Sequence, residues 1–221
     1  MLEDINNAIL SCKKCNLSLT RIKAVPGEGN FRSEIVFVGE APGAKEDETG
    51  RPFVGSAGQL LTQLIRTYLK IDRTSVYITN LVKCRPPENR DPKDEEIDAC
   101  SPYLIRQIEA IKPKIIVTLG RHSTKYFQVL AGRDPIPISR CHGNPFHVYF
   151  SFGKVLVFPS YHPAAALYNP PLRKEMEKDF LELSRLLNKG PTGSNSVTID
   201  MFLNGNGPWD KRKEGSGNSI K

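Results

Sequence analysis

The chain has 221 residues, 39% hydrophobic and 25% charged, enough to bury a core as one domain of about 190 residues with a tail. Wholesale disorder is excluded, the five cysteines are too few for a disulfide scaffold, and no apolar run approaches the roughly 18 residues of a membrane span. Lys and Arg total 31 against 24 Asp and Glu, a net charge of +7, which suits a polyanionic partner or simply a soluble surface. The opening MLEDINNAIL lacks the basic and long apolar regions of a secretory signal, so a cytoplasmic, reducing compartment is expected.

In chain order, four short β-branched runs read as buried strands: Ile35 to Val38, Val76 to Thr79, Ile115 to Leu119 and Val155 to Phe158. Between the first two, Leu60, Leu61, Leu64, Ile65, Tyr68 and Leu69 recur at helical spacing within Ser56 to Lys70, with Ser56 as the expected N-cap. Asp91 and Pro92 read as the cap and first residue of the next helix, which Pro102 is expected to kink or divide. Ser123 to Leu130 and Arg173 to Leu187 give two more helical segments, and His147 to Phe152 offers an antiparallel strand to pair with Val155 to Phe158. Strands alternating with helices predict an α/β fold, a three-layer α/β/α domain on a central four-stranded parallel sheet, over residues 1–189. From Gly190 the composition turns Gly- and Ser-rich, so 190–221 reads as a flexible tail interrupted by an apolar island at 196–203.

In open parallel sheets, ligands bind beyond the carboxyl ends of the strands. Those ends carry Gly39-Glu40-Ala41-Pro42-Gly43, then Asn80, then Gly120-Arg121-His122-Ser123, then Tyr161-His162-Pro163. Taken singly, each is as well explained as a loop residue. Together, a carboxylate, an amide and an imidazole at successive strand ends mark a candidate site. Phe53, in Gly50-Arg-Pro-Phe53-Val-Gly55, could stack on a planar ligand or serve as core. Cys12 and Cys15 form a Cys-x-x-Cys pair, with Cys84 and Cys100 further on and Cys141 apart. Four thiolates fit a structural zinc or an iron–sulfur cluster, and the spacing favours neither.

Cys12-x-x-Cys15, GEAPG at 39–43, GRPFVG at 50–55, TNLVKCRPP at 79–87, Cys100 and YHPAA at 161–165 together resemble a family 4 uracil-DNA glycosylase. The resemblance runs in order through about residues 1–189. It implies a [4Fe-4S] cluster held by Cys12, Cys15, Cys84 and Cys100, with Cys141 outside the set. It also implies a monofunctional enzyme that flips uracil out of DNA and hydrolyses its N-glycosidic bond, starting base excision repair. Asn80 would read the Watson–Crick edge, Phe53 would stack on the base, and backbone N–H groups near Ala41 would meet its oxygens. His162 would donate to uracil O2 as negative charge develops there, and Glu40 would handle the attacking water. Asn89 is a second candidate to support that water, and Glu46 a candidate to crowd the C5 position.

Around the rim, Leu167 is the expected apolar wedge, and Arg85, Arg90, Arg173 and Lys174 the expected phosphate contacts. The segment 85–92 contains no histidine, unlike the basic insert of a related covalent uracil-binding group, which argues for turnover. Within the tail, Ile199, Phe202 and Leu203 resemble the apolar plug of a sliding-clamp-binding motif, with Ser196 where Gln is usual. A monomer is expected. Two competing readings are a non-catalytic uracil- or DNA-binding module on the same fold, and an iron–sulfur electron carrier; the carrier leaves Asn80, Phe53 and the HPAA loop without a role.

Overall fold

The computed structural model describes residues 2–188. The N-terminal segment forms α1 (Leu2–Leu10) and α2 (Leu17–Thr20), followed by β1 (Glu28–Gly29), β2 (Ile35–Gly39), α3 (Ala44–Thr49) and α4 (Ser56–Leu64). Then come β3 (Tyr77–Asn80), α5 (Asp94–Ile111), β4 (Ile115–Leu119), α6 (Arg121–Leu130) and α7 (Ile138–Cys141). The described residues end with β5 (Phe146–Phe150), β6 (Gly153–Ser160), α8 (Pro163–Ala166) and α9 (Pro170–Asn188).

The strands among the described residues form one six-stranded sheet in the order β1-β3-β2-β4-β6-β5. The expected four-stranded sheet is therefore incomplete. Its strands β3, β2, β4 and β6 run parallel in the centre, while β1 and β5 add antiparallel edges to β3 and β6. Two residues of β1 were too few to show a strand period, whereas β5 alternates buried Phe146 and Val148 with partly or fully exposed His147 and Tyr149.

Alternation across the pleat builds two cores. Ile35, Phe37, Ile78, Val117 and Phe158 face α4, α8 and α9 through Leu61, Leu64, Met176 and Phe180. Val36, Val38, Ile116 and Val157 face α5 and α6 through Leu104, Ile108 and Phe127. Both faces are covered, which is why the central strands read as continuous apolar runs. A third core joins α1 to α5 and the loop after β3 through Ile5, Ile9, Leu17, Val82 and Tyr103. Among the described residues no helix is long and apolar enough to cross a membrane.

Three local expectations need correction. Pro102 sits inside an unbroken α5, on an exposed face of the helix with Asp98, whose carbonyl loses the donor that a non-proline residue would supply. The α5 cap is Lys93, whose N–H donates to Glu96 Oε2 at 2.8 Å, and Asp91 is released for another role. Gly55 rather than Ser56 caps α4. The segment 196–203, with its candidate clamp residues Ile199, Phe202 and Leu203, lies outside the described residues.

Candidate active site

The carboxyl ends of β2, β3 and β6 converge on a cavity of about 440 Å³ whose wall includes Glu40, Ala41, Glu46, Phe53, Asn80, Asn89, Arg90 and His162. Its floor is Asn80, buried at the end of β3 with Oδ1 lacking any hydrogen-bond partner. An unpaired buried acceptor costs about 1–3 kcal/mol, so this atom is prepared for a donor from a ligand. Gly39 makes the floor possible. A Cβ there would strike Asn80 Oδ1 and come within 2.5 Å of Phe53 Cζ.

Phe53 is 6% exposed and adopts φ +50°, a left-handed conformation that a bulky side chain takes only when its surroundings enforce it. Arg73 supplies part of the enforcement, donating from Nη1 to Phe53 O at 3.0 Å and from Nη2 to Pro52 O. Glu46 supplies the rest. Its Oε1 accepts from the N–H groups of Val54 and Gly55, each at 2.9 Å, and its Oε2 from Gly43 N–H at 3.1 Å. Glu46 thus ties the GEAPG loop to the Phe53 loop, a structural role its sequence position did not reveal.

His162 caps α8, and its ring lies 5.7 Å from the Phe53 ring between centroids. Nδ1 accepts from Ala164 N–H at 3.1 Å, so the ring proton of the neutral form resides on Nε2. Desolvation pushes the His162 pKa down to about 4, against a smaller opposing effect of Glu46. The imidazole is therefore a neutral Nε2–H donor. Gly120, at φ +93°, lets β4 approach closely, since a Cβ there would lie 2.9 Å from His162 Cβ.

Glu40 is half-buried, and its carbonyl accepts from Val82 N–H at 3.0 Å. Desolvation raises its carboxyl above the ordinary value; His122 opposes that rise, Asp91 adds to it and Arg121 opposes it. His122 Nε2 lies 3.8 Å from Glu40 Oε2 and 3.4 Å from Asp91 Oδ1. Sequence reasoning placed His122 at a strand end without a role and misread Asp91 as a cap.

The rim is more constrained than expected. Asn89 lines the cavity, but its Oδ1 accepts from Arg85 Nε at 2.8 Å. Arg90 forms a bidentate pair with buried Glu96, at 2.9 and 2.6 Å. Arg173 donates to Glu177 at 3.2 Å across one helical turn, and Lys174 is exposed. Leu167 packs on the main core, whereas its neighbour Tyr168 is 92% exposed.

Cys12, Cys15, Cys84 and Cys100 surround a second small cavity with Arg21, Lys83 and Tyr103, while Cys141 lies elsewhere on α7. Arg21 Nη1 donates to Cys84 Sγ at 2.9 Å, its Nη2 donates to the carbonyls of Leu10 and Cys12, and Lys83 N–H donates to Cys100 Sγ at 3.2 Å. Burial pushes the Cys100 thiol up to about 11 and raises that of Cys84. A metal ion or cluster held by these sulfurs would supply the positive charge that buried thiolates need. Lys83 is itself buried, and its Nζ donates to Thr79 Oγ1, Asn80 O and Gln107 Oε1 at 2.6, 2.7 and 2.8 Å. It joins the cysteine cavity to the floor of the first pocket.

Residues 26–185 match the family profile of the Uracil DNA glycosylase superfamily. The chain belongs to that superfamily. It is 54% identical over 221 residues to a Type-4 uracil-DNA glycosylase of Sulfurisphaera tokodaii, covering 100% of this chain and 99% of that one. A Type-4 uracil-DNA glycosylase of Saccharolobus solfataricus is 52% identical with the same coverage. A third relative of that description, from Archaeoglobus fulgidus, is 50% identical over 188 residues, 85% of this chain and 94% of its own. Both cavities of this superfamily member lie within the span shared with the first two relatives, which also extends through the C-terminal segment.

Proposed function

We propose that the protein is a monofunctional uracil-DNA glycosylase that extrudes uracil into the Asn80 pocket and hydrolyses the N-glycosidic bond. The observation that carries this reading is the unpaired, buried Asn80 Oδ1 beneath Phe53. Uracil N3–H supplies the donor that oxygen lacks, and the Asn80 amide N–H donates to O4. Cytosine presents the reverse pattern at those atoms and would leave buried groups unpaired. Phe53 stacks on the base, and the backbone around Ala41 meets its oxygens.

As the bond breaks, positive charge builds on the sugar and negative charge on uracil O2. The neutral His162 donates its Nε2–H to that oxygen, a preorganised stabilisation of developing charge. Glu40, ionised, favours the oxocarbenium ion and takes a proton from water adding at the sugar. Glu46 borders the face on which a C5 methyl would project, and Asn89 with Arg85 borders the mouth.

The four cysteines fit a [4Fe-4S] cluster better than zinc. Four sulfurs around one zinc lie about 3.8 Å apart, given Zn–S bonds of about 2.3 Å; among the described residues, the group whose ligating atoms come within 4.8 Å of one another is Glu40, Asp91 and His122, with no cysteine in it. When bound, the cluster supplies a cross-link between the N-terminal segment and the loop after Asn80. Arg85, Arg173 and the Leu167–Tyr168 pair, of which Leu167 packs on the core and Tyr168 is the exposed member, are the proposed DNA contacts, and Ile199, Phe202 and Leu203 a proposed clamp-binding plug on an otherwise monomeric enzyme.

The test is incubation with a uracil-containing duplex, followed by alkali and strand analysis. Scission at uracil is expected, together with its loss in Asn80→Ala. Intact DNA under conditions where the folded protein binds it would establish the non-catalytic module instead. For the tail, removal of 190–221 should leave excision intact and abolish clamp affinity; unchanged clamp affinity would remove that proposal.

A further inference from the structure

Behind Glu40, on the side away from Asn80, α6 and the loop ahead of α5 bring two further side chains to the carboxylate. His122 enters from α6, and its Nε2 is buried without a hydrogen-bond partner. Asp91 enters from the loop, and Arg121 Nη2 holds its Oδ2 at 2.5 Å. Glu40, Asp91 and His122 each offer an atom within 4.8 Å of the other two. Neither His122 nor Asp91 lines the base pocket, which Glu40 alone of the three does.

We propose that His122 is a positioning residue for Glu40: its Nε2–H holds Glu40 Oε2, leaving the second carboxylate oxygen turned into the pocket, while the Arg121-anchored Asp91, whose Oδ1 lies 3.4 Å from the same Nε2, competes for that proton. This rests on the reading of Glu40 as the carboxylate that handles water. The present separation of 3.8 Å closes to an N–H···O distance of about 2.9 Å with a shift of about 1 Å, within reach of a side-chain adjustment. An N–H donor at that oxygen favours the ionised carboxylate, which burial alone disfavours. It also removes rotational freedom that a Glu side chain otherwise retains.

The charged groups facing Glu40 are His122 and Arg121 from α6 and Asp91 from the loop ahead of α5, with burial as the larger influence. His162, across the pocket, has Glu46 as its charged neighbour. The signs for Glu40 are opposite: His122 and Arg121 lower its pKa, and Asp91 raises it.

The experiment is a single-turnover excision rate on a uracil duplex across the acid to alkaline range, with saturating protein and with thermal melting of each variant. His122→Ala should displace the acid limb of the profile to higher pH, costing about tenfold in rate below the limb for each unit moved, and should converge on the wild-type rate at alkaline pH. His122→Gln, which retains an N–H donor, should lie between the two. Asp91→Asn should displace the limb the other way. A His122→Ala profile with its limb in the wild-type place, whether or not the rate falls uniformly, overturns the proposal. Loss of wild-type activity in chelator with restoration by a divalent ion would make the trio an ion site and also overturn it. Glu40→Gln separates the two readings: a wild-type rate there removes the Glu40 role itself, whereas a slow Glu40→Gln beside an unmoved His122→Ala limb removes His122 alone.

Discussion

Replacing Gly39 by Ala adds one methyl group at the closest contact in the pocket floor. The new Cβ meets Asn80 Oδ1, and Phe53 Cζ and Cε2 at 2.5 and 2.7 Å. None of these atoms has an easy retreat. Asn80 ends a central strand, paired with Gly39 itself, and the Phe53 backbone is held by Arg73 from one side and Glu46 from the other. Overpacking of this kind costs about 1–3 kcal/mol of stability, and for a domain of this size that lowers the melting temperature by about 2–4 °C per kcal/mol. The effect on excision should be larger, because a misplacement of about 1 Å in a reacting geometry costs about 100-fold in rate. Single-turnover excision with excess protein measures the chemical step, and a thermal melt confirms that the variant is folded. A folded Gly39→Ala protein that excises uracil at the wild-type rate would refute the claim that Asn80 and Phe53 define the base site together.

Other outcomes follow from the same geometry. Because burial holds His162 at a pKa of about 4, the unfolded chain binds a proton at this residue from about pH 6.5 downward while the folded one does not. The folded state is therefore progressively penalised as pH falls from about 6.5 to about 4, and His162→Gln should lose less melting temperature over that interval while excising at least tenfold more slowly. Cys84→Ser should remove the broad visible absorption expected of an iron–sulfur protein and lower the melting temperature; a colourless wild-type protein containing zinc would refute the cluster. Leu167→Ala should act mainly on stability, by about 2–5 kcal/mol at most for a half-buried leucine, and Tyr168→Ala mainly on duplex affinity, as stacking on bases is worth about 1–3 kcal/mol. Binding and melting measured on both variants would show whether the roles are reversed.

The parallel core of the sheet was legible because β2, β4 and β6 are buried on both faces and so read as unbroken apolar runs. The edge strand β1 was not, since two residues carry no period. At the pocket, Glu40, Asn80 and His162 stood out because their strand ends are fixed by topology, and Phe53 because it sits in a glycine-flanked loop ahead of α4; the structure brings all four to one cavity. Residues that act through the backbone were hidden. Glu46 holds three N–H groups on two loops, a role set by how the loops fold rather than by local sequence. Asp91 carried a misleading signal, because Asp followed by Pro is a familiar helix start, but here Glu96 captures the Lys93 N–H and moves the start downstream. Leu167 was named as the wedge from chain distance alone, which carries no information that Leu167 is partly buried against the core while its neighbour Tyr168 is 92% exposed.

The five residues from Asn80 to Cys84 contain a buried lysine whose ammonium group bonds the Asn80 carbonyl while its own N–H reaches Cys100. On the proposed reading, base selection and cluster retention share one short stretch of chain and are coupled through Lys83. A library that varies this stretch to obtain a new base preference would then lose many members to failed assembly of the proposed cluster before their specificity is read, so colour is the first property to screen.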